Sequence, residues 1–132
     1  MIIEQPLASF SLLFVEDDKM ICQVIGRMIA RRFPDATVYT AENGRIGLEL
    51  FKEHTPDIVI TDINMPVMDG IQMARKIKSV KTGTKFIVLT GYSDRSNLEK
   101  FSEIGFDDYI VKPVDFGKLF AAIEKCRDGI TL

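Results

Sequence analysis

Glu16, Asp17, Asp62, Thr90 and Lys112 are the residues of this chain best suited to chemistry, and all fall where a short apolar run gives way to a loop. The runs are SLLFV before Glu16, DIVIT before Asp62, FIVL before Thr90 and DYIV before Lys112. If they are strands of one parallel sheet, their carboxyl ends share an edge and these distant residues converge. Carboxylates within roughly 4–6 Å of one another disfavour each other's ionisation, so a cation belongs among Glu16, Asp17 and Asp62. All-oxygen ligation suits Mg2+, with Mn2+ as a substitute, better than zinc, which prefers histidine and cysteine. A carboxylate beside such an ion can act as a nucleophile, with an aspartyl phosphate as the covalent outcome. Asp62 is the candidate, because a central strand delivers it to the middle of the cluster. Phosphoryl transfer asks mainly for positioning and neutralised charge; Lys112 can supply the charge, and Thr90 can donate a hydrogen bond to the same oxygens.

The elements that must position these residues are legible as an alternation. Met20 to Arg32 carries Ile21, Val24, Ile25 and Met28 at helical spacing after the first strand. Thr37 to Ala41 is rich in β-branched and aromatic residues, and Asn43-Gly44 opens a second helix bearing Ile46, Leu48, Leu50 and Phe51. Beyond the third strand, the turn NMPVMDG leads into a helix whose Ile71, Ala74 and Ile77 share a face. In that turn Pro66 fixes one backbone angle, Asp69 caps the helix, Gly70 tolerates unusual dihedrals, and Met65 and Met68 are packing residues. Leu98, Phe101 and Ile104 mark a fourth helix closed by Gly105, and Phe116, Leu119, Phe120 and Ile123 a fifth. The strands are nearly continuously apolar, as expected when helices cover both faces of a parallel sheet. The expected fold is therefore α/β: a doubly wound five-stranded parallel sheet, (βα)5, in strand order 2-1-3-4-5. Ligands in such sheets bind beyond the strands' carboxyl ends, at the point where the winding reverses.

Composition narrows the function classes. At 132 residues, with 46% hydrophobic and 27% charged residues, the chain has the makeup of one globular domain. Its net charge of -2 supplies no basic field for a nucleic-acid backbone. No apolar run approaches the length of a membrane span, and MIIEQPLASF lacks the basic start of a signal peptide, so a cytoplasmic location is expected. Cys22 and Cys126 have neither metal-ligand nor disulfide-framework spacing and are read as packing residues. His54 is read as an exposed residue at the end of the second helix.

Taken singly, each candidate has a plain structural reading: Asp17 or Asp18 a helix cap, Asp62 an acid opening a turn, Thr90 a strand end, Lys112 a surface charge. Their joint occurrence at matching strand ends overturns those readings. LLFVEDD, IVITDINMPVMDG, VLTGY and DYIVKP, in that order, make the segment from Ser11 to Arg127 resemble the receiver domain of two-component response regulators. Residues 1–10 then form an amino-terminal extension, 11–127 the receiver and 128–132 a tail.

That resemblance implies that Asp62 accepts a phosphoryl group from a histidine kinase or phosphotransfer protein. It implies a Mg2+ site of Glu16, Asp17, Asp62 and the backbone carbonyl of Asn64. Thr90 matches the switch hydroxyl, Tyr109 the switch aromatic and Lys112 the lysine of the site, and the peptide Lys112-Pro113 is expected to be cis. Signalling would pass through helix 4, strand 5 and helix 5 to a downstream protein or linked effector domain, with homodimerisation on activation as a further outcome. The charge gained at Asp62 supports such a movement on physical grounds, since Thr90 and Lys112 can approach the larger anion only by shifting. Asn64 and Tyr92 occupy loop positions that can screen the acyl phosphate from water, with bulky Tyr92 expected to slow hydrolysis, and Gly91 leaves room for Thr90. The chain is expected to catalyse its own phosphorylation and dephosphorylation rather than act as a turnover enzyme. It is read as a stand-alone regulator or as a receiver from a longer hybrid kinase or multidomain regulator.

Other readings fit less well. An aspartate-nucleophile phosphatase resembles D-x-D, but Asn64 holds the second acid's place. A flavin or nucleotide module would need a glycine-rich loop after the first strand, where acids stand instead. A degenerate receiver would have lost functional positions, and all five are present.

Overall fold

A computed structural model describes residues 9–91 and 93–130; Tyr92, most of the expected extension and the end of the tail lie outside them. Strand and helix alternate as β1 (Phe10–Val15), α1 (Lys19–Arg32), β2 (Ala36–Ala41), α2 (Gly44–His54) and β3 (Ile58–Asp62). They continue as α3 (Gly70–Val80), β4 (Lys85–Thr90), α4 (Arg95–Ile104), β5 (Asp108–Val111) and α5 (Phe116–Asp128). The strands form one sheet in order β2-β1-β3-β4-β5, and every neighbouring pair is parallel. That is the order the alternation predicts. β3 begins one residue later than its sequence suggests, because Asp57 stands just before it and its carboxylate accepts the Ser11 N–H at 2.9 Å.

Side-chain alternation along the strands divides the core in two. Phe10, Leu12 and Phe14 of β1, Ile58 and Ile60 of β3, and Ile87 and Leu89 of β4 face α1 and α5, where Ile25, Ile29, Leu119 and Ile123 meet them. Leu13, Val15, Val59, Phe86 and Val88 point the other way, onto Leu48, Phe51, Met73, Ile77 and Phe101 of α2, α3 and α4. Each such fully buried side chain is worth about 1.5–3 kcal/mol of transfer free energy, so both faces hold the sheet in place. Cys22 and Cys126 are buried, free packing residues. His54 is exposed and stacks on Tyr39 with ring centroids 4.2 Å apart.

Helix starts follow a common device. Asp18, Asn43, Asp69 and Asp115 each accept the N–H three residues on, capping α1, α2, α3 and α5. Asp94 stands at the same position before α4 and makes no such bond. The expectation for Gly70 needs correcting. Among the described residues of the turn after β3, Val67 takes the left-handed conformation, with φ 72°. Gly70 is required for space: a Cβ there would lie 2.3 Å from the Asp62 carbonyl oxygen. Its absence lets the Gly70 N–H reach the Ile63 carbonyl at 2.8 Å and folds the turn tightly beneath Asp62.

Candidate functional site

Register explains the convergence. Val15 pairs with Thr61, so Glu16 and Asp62 leave their adjacent strands side by side. Thr90 pairs with Val111, placing Lys112 one residue past the end of β5, where its N–H donates to the Thr90 carbonyl at 2.7 Å. Glu16, Asp17 and Asp62 each offer a carboxylate oxygen within 4.8 Å of the others. Glu16 is 3% and Asp62 7% exposed, whereas Asp17 lies open to solvent.

Among the described residues, one cation answers these acids. Lys112 Nζ lies 2.5 Å from Asp62 Oδ2 and 3.8 Å from Glu16 Oε2. The other Asp62 oxygen, Oδ1, accepts the Ile63 N–H at 2.8 Å, so both carboxylate oxygens are held in fixed directions. Glu16 Oε2 is fully buried and has no hydrogen-bond partner among the described residues. A buried polar atom without a partner costs about 1–3 kcal/mol, which a ligand can recover. Burial pushes the Glu16 carboxyl up from 4.5 to about 7; Lys112 opposes this, while Asp62 and Asp17 reinforce it. For Lys112, burial is the largest single influence and lowers its pKa. Hydrogen bonding to Asp62 and the charges of Asp62, Glu16 and Asp17 outweigh it, and the net shift is upward.

The acids therefore carry more negative charge than Lys112 compensates, and their donors are hard oxygens with an orphaned atom among them. That set fits Mg2+. An apolar hollow of about 380 Å3 between α1 and the loop after β5 opens beside Glu16 and Lys112, lined also by Ile21, Val24, Pro113 and Phe116.

The remaining expected residues surround this cluster. Thr90 is buried and its hydroxyl donates to the Gly91 carbonyl at 3.3 Å rather than to Asp62. Tyr109 is 47% exposed and packs edge-on against Phe106. The Lys112-Pro113 peptide is cis. Asn64 is exposed, and its side chain reaches across to Asp94, which it meets at 2.9 Å. Gly91 gives its N–H to Asp94 Oδ2 at 3.1 Å, so its small size serves that approach. The expected role of Tyr92 falls on a residue outside those described. Asp94 itself was not singled out from the sequence; its only signal there is an acid at a helix start, which ordinarily means a cap.

Comparison with known proteins agrees with this geometry. The profile of the response regulator receiver domain matches residues 12–124. A probable C4-dicarboxylate response regulator, DctR, of Priestia megaterium is 33% identical over 90% of this chain, and the chain spans about half (52%) of that relative's length. The chemotaxis protein CheY of Bacillus subtilis is 32% identical over 86% of this chain and 94% of its own. Among solved structures, the N-terminal domain of an uncharacterized Wolinella succinogenes protein superposes with a TM-score of 0.85 at 32% identity, covering 91% of this chain and 95% of that one. A response regulator receiver domain from Clostridium thermocellum gives 0.82 at 30% identity, covering 90% and 94%. With motifs, sheet order and profile in agreement over most of its length, the chain belongs to the response regulator receiver domain family.

Proposed function

We propose that Asp62 takes a phosphoryl group from a histidine kinase or phosphotransfer protein in a Mg2+-dependent reaction. The observation that carries this reading is Lys112 Nζ on Asp62 Oδ2, beside a buried Glu16 oxygen that has no hydrogen-bond partner among the described residues. Glu16, Asp17, Asp62 and the Asn64 carbonyl would hold the ion. When bound, Mg2+ supplies neutralisation of charge on the phosphoryl oxygens.

A carboxylate oxygen of Asp62 attacks phosphorus, an acyl O–P bond forms, and the donor's N–P bond breaks with its electron pair returning to the imidazole nitrogen. Lys112 leaves its ion pair with Asp62 to hold a phosphoryl oxygen, and the Thr90 hydroxyl turns from Gly91 to donate to another. Water later attacks phosphorus, breaks the acyl O–P bond and restores the carboxylate and inorganic phosphate. Asn64 and Tyr92 govern that water's access. The protein thus acts once on itself in each cycle and is not a turnover enzyme.

Withdrawal of Thr90 leaves space into which Tyr109 turns, and the surface of α4, β5 and α5 changes for its listener. Tyr109 and Val111, 47% and 37% exposed on edge strand β5, give that surface apolar contacts to offer. The listener is a separate protein or a linked effector domain, since the relatives include both CheY-length proteins and longer regulators such as AtoC of Escherichia coli. Pairing of two activated copies through the same face is a further output. No helix among the described residues is long and apolar enough to cross a membrane, which accords with a cytoplasmic site of action.

The test is incubation with acetyl phosphate and Mg2+, followed by intact-mass measurement. One phosphoryl adduct is expected on the wild type and none on Asp62→Asn; an unmodified wild type, or equal adduct on the variant, refutes the proposal.

A further inference from the structure

We infer that Asp94 is a positioning residue: its carboxylate straps the loop after β4 to the loop after β3 and holds the Thr90 hydroxyl in its resting place. The inference rests on the phosphoacceptor reading only for its effect on rate.

Asp94 stands where four other helices of this chain carry a capping side chain, yet it does not cap α4. Its two oxygens are used elsewhere. Oδ2 accepts the Gly91 N–H at 3.1 Å and Oδ1 accepts the Asn64 side-chain amide at 2.9 Å. Asn97, in the first turn of α4, donates to the Asn64 side-chain oxygen at 3.4 Å and so ties the same loop a second time. The Asp94 N–H donates in turn to the Gly91 carbonyl at 3.1 Å, so Gly91 is held at both its N–H and its carbonyl. That carbonyl is the acceptor of the Thr90 hydroxyl. A side chain at Gly91 would crowd this closure, with its Cβ 3.2 Å from Asp94 Oδ2.

Thr90 can reach an aspartyl phosphate only by leaving the Gly91 carbonyl. The Asp94 carboxylate holds Gly91 by its N–H, and with it the carbonyl that the Asp94 N–H also binds, and anchors Asn64, two residues beyond Asp62, so it biases both walls of the site toward the resting arrangement. The bonds are partly solvent-exposed and the bias is correspondingly modest. Removing a bias of this kind shifts a two-state population in proportion to the energy lost.

Asp94→Ser separates a strap from a cap. Serine retains the capping preference but is too short to bridge Gly91 and Asn64. In unphosphorylated, metal-free protein, the Thr90 methyl resonance of Asp94→Ser should move toward an average of two rotamers. Phosphorylation by acetyl phosphate with Mg2+ should become about threefold faster, on the scale of one exposed charge-assisted hydrogen bond. Asn64→Ala should give part of the same methyl shift, and the double variant less than the sum. A Thr90 methyl unchanged in Asp94→Ser overturns the strap whether or not any adduct forms. So does a changed methyl with an unchanged or slower rate on a wild type that is phosphorylated. If the wild type gains no adduct, the phosphoacceptor reading fails and the methyl shift alone decides the strap.

Discussion

The two edges of the sheet use the same residue types to opposite ends. At the amino-terminal edge, Asp57 accepts the Ser11 N–H at 2.9 Å and faces Lys81 at 3.7 Å; Asp107 accepts the Phe86 N–H at 2.8 Å and faces Lys85 at 3.7 Å. Asp57 and Asp107 each have a backbone donor and their own lysine. At the carboxyl-terminal edge, Glu16 and Asp62 share one lysine beside exposed Asp17, and among the described residues Glu16 Oε2 has no hydrogen-bond partner. Matched charge ties loops together, whereas unmatched, desolvated charge is a standing demand for a ligand. That difference, rather than the presence of acids, marks the functional edge.

The sharpest way to break the contrast is metal addition. Mg2+ at a hundred times its dissociation constant should stabilise the wild type by about 2.7 kcal/mol, read as a rise in thermal midpoint. Glu16→Gln should lose most of that response, and Asp57→Asn should keep it. An equal response in all three proteins would mean that the two edges do not differ in the way described. A smaller effect is expected from the matched edge. Asp57→Ala leaves the Ser11 N–H without its acceptor and should cost about 1–2 kcal/mol in urea unfolding, with the rate of phosphorylation by acetyl phosphate unchanged.

A third effect is a pH dependence confined to the carboxyl-terminal edge. In metal-free protein Glu16 keeps its proton to about pH 7, whereas the unfolded chain releases it near 4.5. Across that window the unfolded state binds fewer protons, so this group's contribution to stability falls as pH rises and levels off above about 7. Glu16→Gln and saturating Mg2+ should each remove the fall. A metal-free wild type whose urea midpoint follows that of Glu16→Gln throughout the window would contradict it. Lys112, also shifted upward, acts in the same direction but at higher pH: its contribution is present at neutral pH and is lost only as pH rises past its folded value.

Much of this molecule is legible in the sequence because much of it is local. A parallel strand covered on both faces must be apolar along its length, so SLLFV, DIVIT, FIVL and DYIV announce themselves, and each strand lies within one residue of its expected span. Helical spacing and the acid or Asn at most helix starts do the same for the helices. Parallel order then brings the ends of β1, β3, β4 and β5 to one edge, which is why Glu16, Asp62, Thr90 and Lys112 could be named together. What stayed hidden depends on separations between remote segments. Gly70 reads as a flexible turn residue until the Asp62 carbonyl is found 2.3 Å from where its Cβ would lie. Asp94 reads as a cap until its oxygens are seen on Gly91 and Asn64.

By itself, then, the sequence determined the order of elements and which residues stand at strand ends, since both follow from periodicity and turn chemistry along a short stretch of chain. Only the tertiary structure decided how deeply Glu16 is buried, which of its oxygens is orphaned, and that Asp94 spans two loops. Desolvation and hydrogen bonding change over fractions of an ångström between residues distant in the chain, and no local pattern encodes such distances.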